Sequence, residues 1–384
     1  MSLGRESLGI QRIASIHLFV RDLERSREHF VSRLDFVESA ISTPEFELEQ
    51  RARASVVEAS GVRFVLIEPL GSKGESYQWL ERHPEGVGRI VFDVTDAERA
   101  FSLLAERGAT PITGIERRFV EGGLVTWFDI ATAFGDTLFR FVQHEGSTPI
   151  MPNLARVEQP ARKSNCFGIS HVDHITTNFL TLQPALAWME EVMGFERFWD
   201  IEFHTQNVRK GQPNGSGLKS VVMWDPESGL KFANNEPVQP FFKASQVYLF
   251  YLDHGGPGVQ HVALAVPDLV ATVRGMRDRG VEFMTTPKSY YDVLPQRLTE
   301  SGVNHIEEDL AVLQELGILV DGQAERQYLL QIFMREAAVQ FRDPKAGPLF
   351  IELLQRKGDR GFGGGNFRAL FESIERQQVI EGRV

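Results

Sequence analysis

The chain has 384 residues, of which 42% are apolar and 24% charged; this is globular composition, with enough length for two domains and a sizeable core. A formal charge of −11 argues against binding a phosphate backbone, so no nucleic-acid partner is expected. The single cysteine, Cys166, rules out an internal disulfide or thiolate cluster. With no apolar N-terminal leader and no run of about 18 apolar residues, the expectation is a cytoplasmic protein with no membrane contact.

In chain order, residues 13–40 (IASIHLFVRDLERSREHFVSRLDFVESA) read as a strand, a helix, an aspartate and a second strand. Alternating strand-like runs follow at 52–69. Residues 86–112 (GVGRIVFDVTDAERAFSLLAERGATPI) read as a strand running into an amphipathic helix, with Ala100, Leu103, Leu104 and Gly108 at helical spacing. The proline-bearing, aperiodic stretch 144–167 reads as a linker. Residues 171–198 (HVDHITTNFLTLQPALAWMEEVMGFERF) then repeat the pattern of 13–40, and 258–284 (GVQHVALAVPDLVATVRGMRDRGVEFM) repeat that of 86–112. Between them, 220–237 and 245–254 (SQVYLFYLDH) read as strand-like. The end, from GFGGG at 361–365, reads as a turn passing into a helix with Asn366 as its N-cap.

These repeats predict an α+β fold of two tandem domains, 1–150 and 151–384. Each is built of paired βαβββ modules that form a half-open barrel, and the second adds a C-terminal helix.

The repeat also serves as an internal control. Alignment of the halves sets His17 opposite His174, Arg89 opposite His261, and Phe141 opposite Glu352. A guanidinium and a phenyl ring cannot ligate a divalent metal, whereas two imidazoles and a carboxylate form the facial set that leaves positions open on iron. A carboxylate inside the apolar run LFIELL would be costly to bury without a partner. A structural salt bridge would supply one for Glu352, and neighbours could satisfy either histidine.

The architecture resembles that of the vicinal oxygen chelate superfamily. In the second half VDHI, NNEP, KASQV, GGPGVQHVAL, TPKSYYDVLPQRL, YLLQIF, LFIELLQRKG and GFGGGNF occur in the order of the motifs of the 4-hydroxyphenylpyruvate dioxygenase family, which they resemble over residues 170–375. The resemblance implies Fe(II) held by His174, His261 and Glu352, the residues that the repeat selects. It implies a substrate pocket of Ser220, Asn235, Gln246, Gln260, Gln331, Phe333, Phe362 and Phe367, with the last helix as a lid and no side chain as general base. It further implies that a small aromatic 2-oxo acid and O2 are the substrates, that homogentisate and CO2 are formed in tyrosine breakdown, and that the chain is a homo-oligomer.

This chain departs from the family pattern at Met334, where threonine is usual, and in longer segments at 202–220 and 335–348. Gln260 and His261 are strand neighbours and would face opposite ways unless the strand bulges. The alternatives are a 4-hydroxymandelate synthase, which carries other residues in place of Asn235 and Phe367, a dioxygenase for a related 2-oxo acid, and a metal-free binding protein on the same scaffold. The glycine-rich GFGGG lacks the Lys-Ser/Thr of a phosphate loop.

Overall fold

The computed structural model describes residues 6–158, 165–204, 217–238 and 245–366. Two sheets carry the fold. The first holds β1 (Ile10–Phe19), β2 (Val37–Ser42), β3 (Ala52–Ala59), β4 (Val62–Pro69), β5 (Gly86–Val94), β6 (Thr110–Pro111), β7 (Glu116–Val120), β8 (Gly123–Ala131), β9 (Leu138–Gly146) and β10 (Leu154–Arg156). Its order is β10-β2-β3-β4-β1-β5-β9-β8-β6, with β7 on β8. The second holds β11 (Val172–Asn178), β12 (Glu196–His204), β13 (Gly217–Trp224), β14 (Lys231–Pro237), β15 (Gly258–Ala265), β16 (Leu319–Ala324), β17 (Gln327–Phe333) and β18 (Phe350–Lys357), in the order β12-β13-β14-β11-β15-β18-β17-β16. Because β10 pairs with β2, the first sheet reaches beyond the expected boundary at residue 150.

The helices are α1 (Leu23–Glu28), α2 (Pro44–Gln50), α3 (Glu75–Leu80), α4 (Ala97–Glu106), α5 (Gln183–Trp188), α6 (Gln246–His254), α7 (Leu269–Asp278), α8 (Lys288–Glu300), α9 (Leu310–Leu316) and α10 (Ala337–Gln340). Four of them follow the first strand of a module, and local chemistry starts and stops them. Asp22, Asp96 and Asp268 each accept a hydrogen bond at 2.9 Å from the backbone N–H three residues on, capping α1, α4 and α7; α5 instead has a proline in its first turn. Each helical segment ends at a left-handed residue: Asp35, Gly108, Gly194 and Gly280 have φ of 60°, 86°, 74° and 81°. The fourth module inserts α8 and α9 before β16. No helix among the described residues is long and apolar enough to cross a membrane.

Two expectations fail here. SQVYLFYLDH is helix α6, not a strand. Ser245 caps it, Gly255 ends it left-handed, and Gln246, Phe250 and His254 bury one stripe at a spacing of four. Its aromatic content, which favours strands, yields to the caps. Asn366 is not an N-cap: it lies inside the first helical turn, and its side chain reaches away to Tyr290 and Gln331. The rest of the expected lid helix, including Phe367, lies outside the described residues.

One buried apolar cluster runs through both halves. Phe139 of the first meets Trp188 and Phe232 of the second at ring separations of 5.7 and 5.8 Å. Each such buried ring contributes about 1.5–3 kcal/mol relative to exposure, which fixes how the sheets face one another.

Candidate metal centre

Three adjacent strands, β11, β15 and β18, bring His174, His261 and Glu352 together. All three are buried, and their ligand atoms lie within 4.8 Å of one another. One oxygen of Glu352 stands 3.3 Å from His174 Nε2 and 3.1 Å from His261 Nε2. No lysine or arginine among the described residues pairs with this carboxylate, so the salt-bridge alternative for Glu352 reduces to the two imidazoles. Donors at right angles on an ion about 2.1 Å away would lie about 3 Å apart, so these separations suit a metal.

Two bulges produce this convergence. On β11 the pairs Val172–Leu264 and His174–Ala263 leave Asp173 as an extra residue. On β15 the pairs Thr176–His261 and Thr177–Val259 leave Gln260 as an extra residue. A bulge puts two successive side chains on one face, and each extra residue holds its neighbour's other ring nitrogen. Asp173 Oδ1 is 2.9 Å from His174 Nδ1, and Gln260 Oε1 is 3.1 Å from His261 Nδ1. Both Nε2 atoms are thereby aimed at Glu352, the arrangement that fixes tautomer and orientation in a metal site. Gln260 joins the pocket through the bulge.

The electrostatics match. Burial disfavours the Glu352 carboxylate, but the two imidazoles outweigh it and hold the group down to about 2. Burial also opposes a charged His174, yet Glu352 and Asp173 raise it to about 9. His261 is lowered, chiefly by burial. Asp173 is in turn gripped by Arg356 through two 2.7 Å bonds, and Arg356 donates to the carbonyls of Asp359 and Gly361 at 3.1 and 2.7 Å. The turn it holds delivers Phe362, whose ring meets His174 edge-on at 5.1 Å.

The pocket beside these groups is lined by Asn235, Gln246, Gln260, Gln331, Phe333 and Phe362 of the expected set, together with Thr176, Leu218, Val247, Leu354 and Arg356. Ser220 pairs across the ladder with Asn235 rather than lining the pocket. Ser220 Oγ, Asn235 Oδ1 and Asn178 Nδ2 are buried without a hydrogen-bond partner, although Asn235 Nδ2 donates to Asn178 Oδ1 at 3.1 Å. Orphaned polar atoms beside a pocket call for a polar ligand. Asp173, Arg356 and Asn178 were not singled out in the sequence, and Asn366 was read only as a helix cap. Asp173 beside His174 was the one available signal.

The first half is the counterpart without this chemistry, and the ladders correct the alignment of the repeat. Arg89 does stand where His261 stands. The residue at the place of His174 is Ser15, not His17, because His17 pairs with Arg89 as Thr176 pairs with His261. The residue at the place of Glu352 is Arg140, not Phe141, because Arg140 lies beside Val91 as Glu352 lies beside Ala263. A repeated hydrogen bond supports this register: Gln143 Oε1 accepts from Ala97 N, and Gln355 Oε1 accepts from Leu269 N, each at 2.9 Å. Arg140 grips Asp129 through two 2.7 Å bonds, and Arg89 pairs with Glu75 at 2.7 Å and Asp129 at 3.4 Å. A buried ion cluster fills the position of the second half's site.

The superfamily described as Glyoxalase/Bleomycin resistance protein/Dioxygenase matches residues 11–135 and 171–294, one match in each half. The 4-hydroxyphenylpyruvate dioxygenase of Dictyostelium discoideum is 31% identical over 96% of this chain and 98% of its own length. The chain belongs to the 4-hydroxyphenylpyruvate dioxygenase family. The Caenorhabditis briggsae member is 36% identical over 79% of this chain and 76% of its own length. Among solved structures, a mutant 4-hydroxymandelate synthase from Streptomyces coelicolor aligns with a TM-score of 0.78 at 26% identity, covering 96% of this chain and 99% of that one. The α+β architecture is thus that of the family.

Proposed function

We propose that the chain is an Fe(II)-dependent dioxygenase that converts 4-hydroxyphenylpyruvate and O2 to homogentisate and CO2. The observation that carries this reading is the convergence of His174, His261 and Glu352 on one point, with the Nδ1 atom of each histidine already engaged. In this reading residues 151–384 form the catalytic domain and residues 1–150 a domain without a metal. Bound iron would supply open coordination positions for the 2-oxo acid and O2 and the electrons to activate O2.

The chain's own residues do the rest. Asp173 and Gln260 engage both Nδ1 atoms and aim both Nε2 atoms inward, and a bound metal would take the place of the proton that His174 shares with Glu352. Phe333 and Phe362 form apolar walls for an aromatic ring, with Phe367 assigned to the same wall. Asn235 and Gln260 supply polar atoms for the phenol end, with Ser220 beside Asn235 behind them, while Gln246 and Gln331 serve the rest of the substrate. No side chain is assigned as general base. Tyrosine breakdown, a cytoplasmic location and assembly as a homo-oligomer complete the proposal.

The test is product analysis after incubation with Fe(II), O2 and 4-hydroxyphenylpyruvate. Homogentisate is expected. Hydroxymandelate would move the assignment to the synthase, and turnover of a different 2-oxo acid alone would change the substrate. Absence of bound divalent metal after reconstitution would favour a binding protein.

A further inference from the structure

A second cavity lies between the halves, away from the polar pocket. It has a volume of about 70 Å³ and is lined by Leu18, Val20, Phe30 and Phe64 of the first half and by Val262, Met334, Phe350 and Ile351 of the second. Ala337, Phe341, Ala346 and Leu349, in and around the segment 335–348, complete its lining. None of these residues belongs to the metal centre or to the polar pocket beside it.

The polar groups around it are few, and most are already engaged. Ser26 Oγ donates to the carbonyl of Asp22 at 3.0 Å, and Glu85 accepts from the Arg21 amide at 2.8 Å and pairs with Arg25. Gln340 exchanges hydrogen bonds with the Glu282 backbone, and His29 Nδ1 is buried without a partner. A retained water needs about two to four polar partners, and apolar cavities that cannot offer them stay dry and take up xenon or other apolar guests. The chamber is also close to the chemistry. The Phe350 ring, which forms part of its wall, stacks on His261 at 4.8 Å and 23°. One aromatic ring separates an apolar void from an imidazole of the candidate metal centre.

We propose that this chamber is a holding site for dioxygen, filled from the 335–349 side and emptied past Phe350 toward the metal. The proposal rests on the dioxygenase reading above for its occupant. Size and apolarity suit a diatomic gas and disfavour the charged 2-oxo acid, which enters by the polar pocket. The two substrates would then approach His261 from different sides.

The experiment uses the whole chain. Crystals of the metal-free protein under xenon pressure are expected to show xenon between Phe350, Phe64 and Ala346. The Ala346→Leu variant, which fills the void, is expected to lose it. In the iron-loaded enzyme the same variant is expected to raise KM for O2 several-fold, leaving kcat at saturating O2 and KM for the 2-oxo acid unchanged. Ala337→Phe, on the half-buried outer wall, repeats the test should Ala346→Leu fail to fold. No xenon in the wild-type chamber overturns the holding site and leaves the dioxygenase reading intact. Loss of xenon without a change in kcat/KM for O2 overturns its role in delivery. Xenon bound by a chain that consumes no O2 with 4-hydroxyphenylpyruvate overturns the dioxygenase reading, and with it dioxygen as the occupant.

Discussion

The two halves share a ladder, helix caps and left-handed helix ends, yet the same point in each holds opposite chemistry. In the second half it holds His174, His261 and Glu352; in the first it holds Ser15, Arg89 and Arg140. Both halves bury charge there. The first satisfies it internally, through Asp129 between two arginines. The second leaves two imidazoles and a carboxylate facing one another, an arrangement that a divalent cation would complete. Both halves also carry the same two bulges, with Ala14 and Gly88 extra in the first where Asp173 and Gln260 are extra in the second. The fold therefore does not demand a metal, and the metal centre is a property of the side chains placed on it.

The comparison can be broken most severely at Glu352. Glu352→Ala is expected to reduce iron content after reconstitution and O2 consumption with 4-hydroxyphenylpyruvate to background, while the metal-free protein stays folded by circular dichroism. At the equivalent point of the first half the expected effect is on stability alone. Arg140→Ala leaves Asp129 buried with one partner fewer and should cost about 3–5 kcal/mol in denaturant unfolding, with iron content unchanged.

Next in size is the support of His174. Asp173→Asn should weaken metal affinity or turnover by about 10–100-fold, read by iron titration, with little change in KM for the 2-oxo acid. The smallest effect is on pH. Burial opposes the Asp129 carboxylate, but Arg89 and Arg140 hold it down to about 2, below its unfolded value. Its contribution, about 2 kcal/mol, is present above the unfolded carboxylate range and is lost as pH falls from about 4 toward 2. His29, pushed down to about 3 by burial and Arg33, adds a loss of stability that begins as pH falls below the ordinary histidine value. Melting temperatures of wild type and Arg140→Ala against pH should therefore converge in acid.

Much of this contrast was legible in the sequence. The repeat revealed the modules, and the family motifs marked His174, His261, Glu352 and most of the pocket. What was not legible turns on single residues. A bulge adds one residue to one strand without altering its apolar pattern, so Asp173 and Gln260 could not be placed. The alignment fell one or two residues out of register at His17 and Phe141 because apolar strands of similar composition do not mark a register by themselves. Helix α6 was hidden because its aromatic residues favour strands while Ser245 and Gly255 supply the stronger local signals. Arg356 sits in the same motif as Glu352, but its partner Asp173 is 183 residues away in the sequence, and only the fold brings the two together.

The central claim is that the second half carries an iron-dependent dioxygenase site for 4-hydroxyphenylpyruvate. Its most direct test is aerobic turnover of that acid by the chain reconstituted with Fe(II), with O2 uptake and products followed together. The prediction is homogentisate and CO2 formed one for one with O2 consumed, and neither formed by Glu352→Ala. An iron-loaded chain that consumes no O2, or a Glu352→Ala variant that matches wild type, would contradict it.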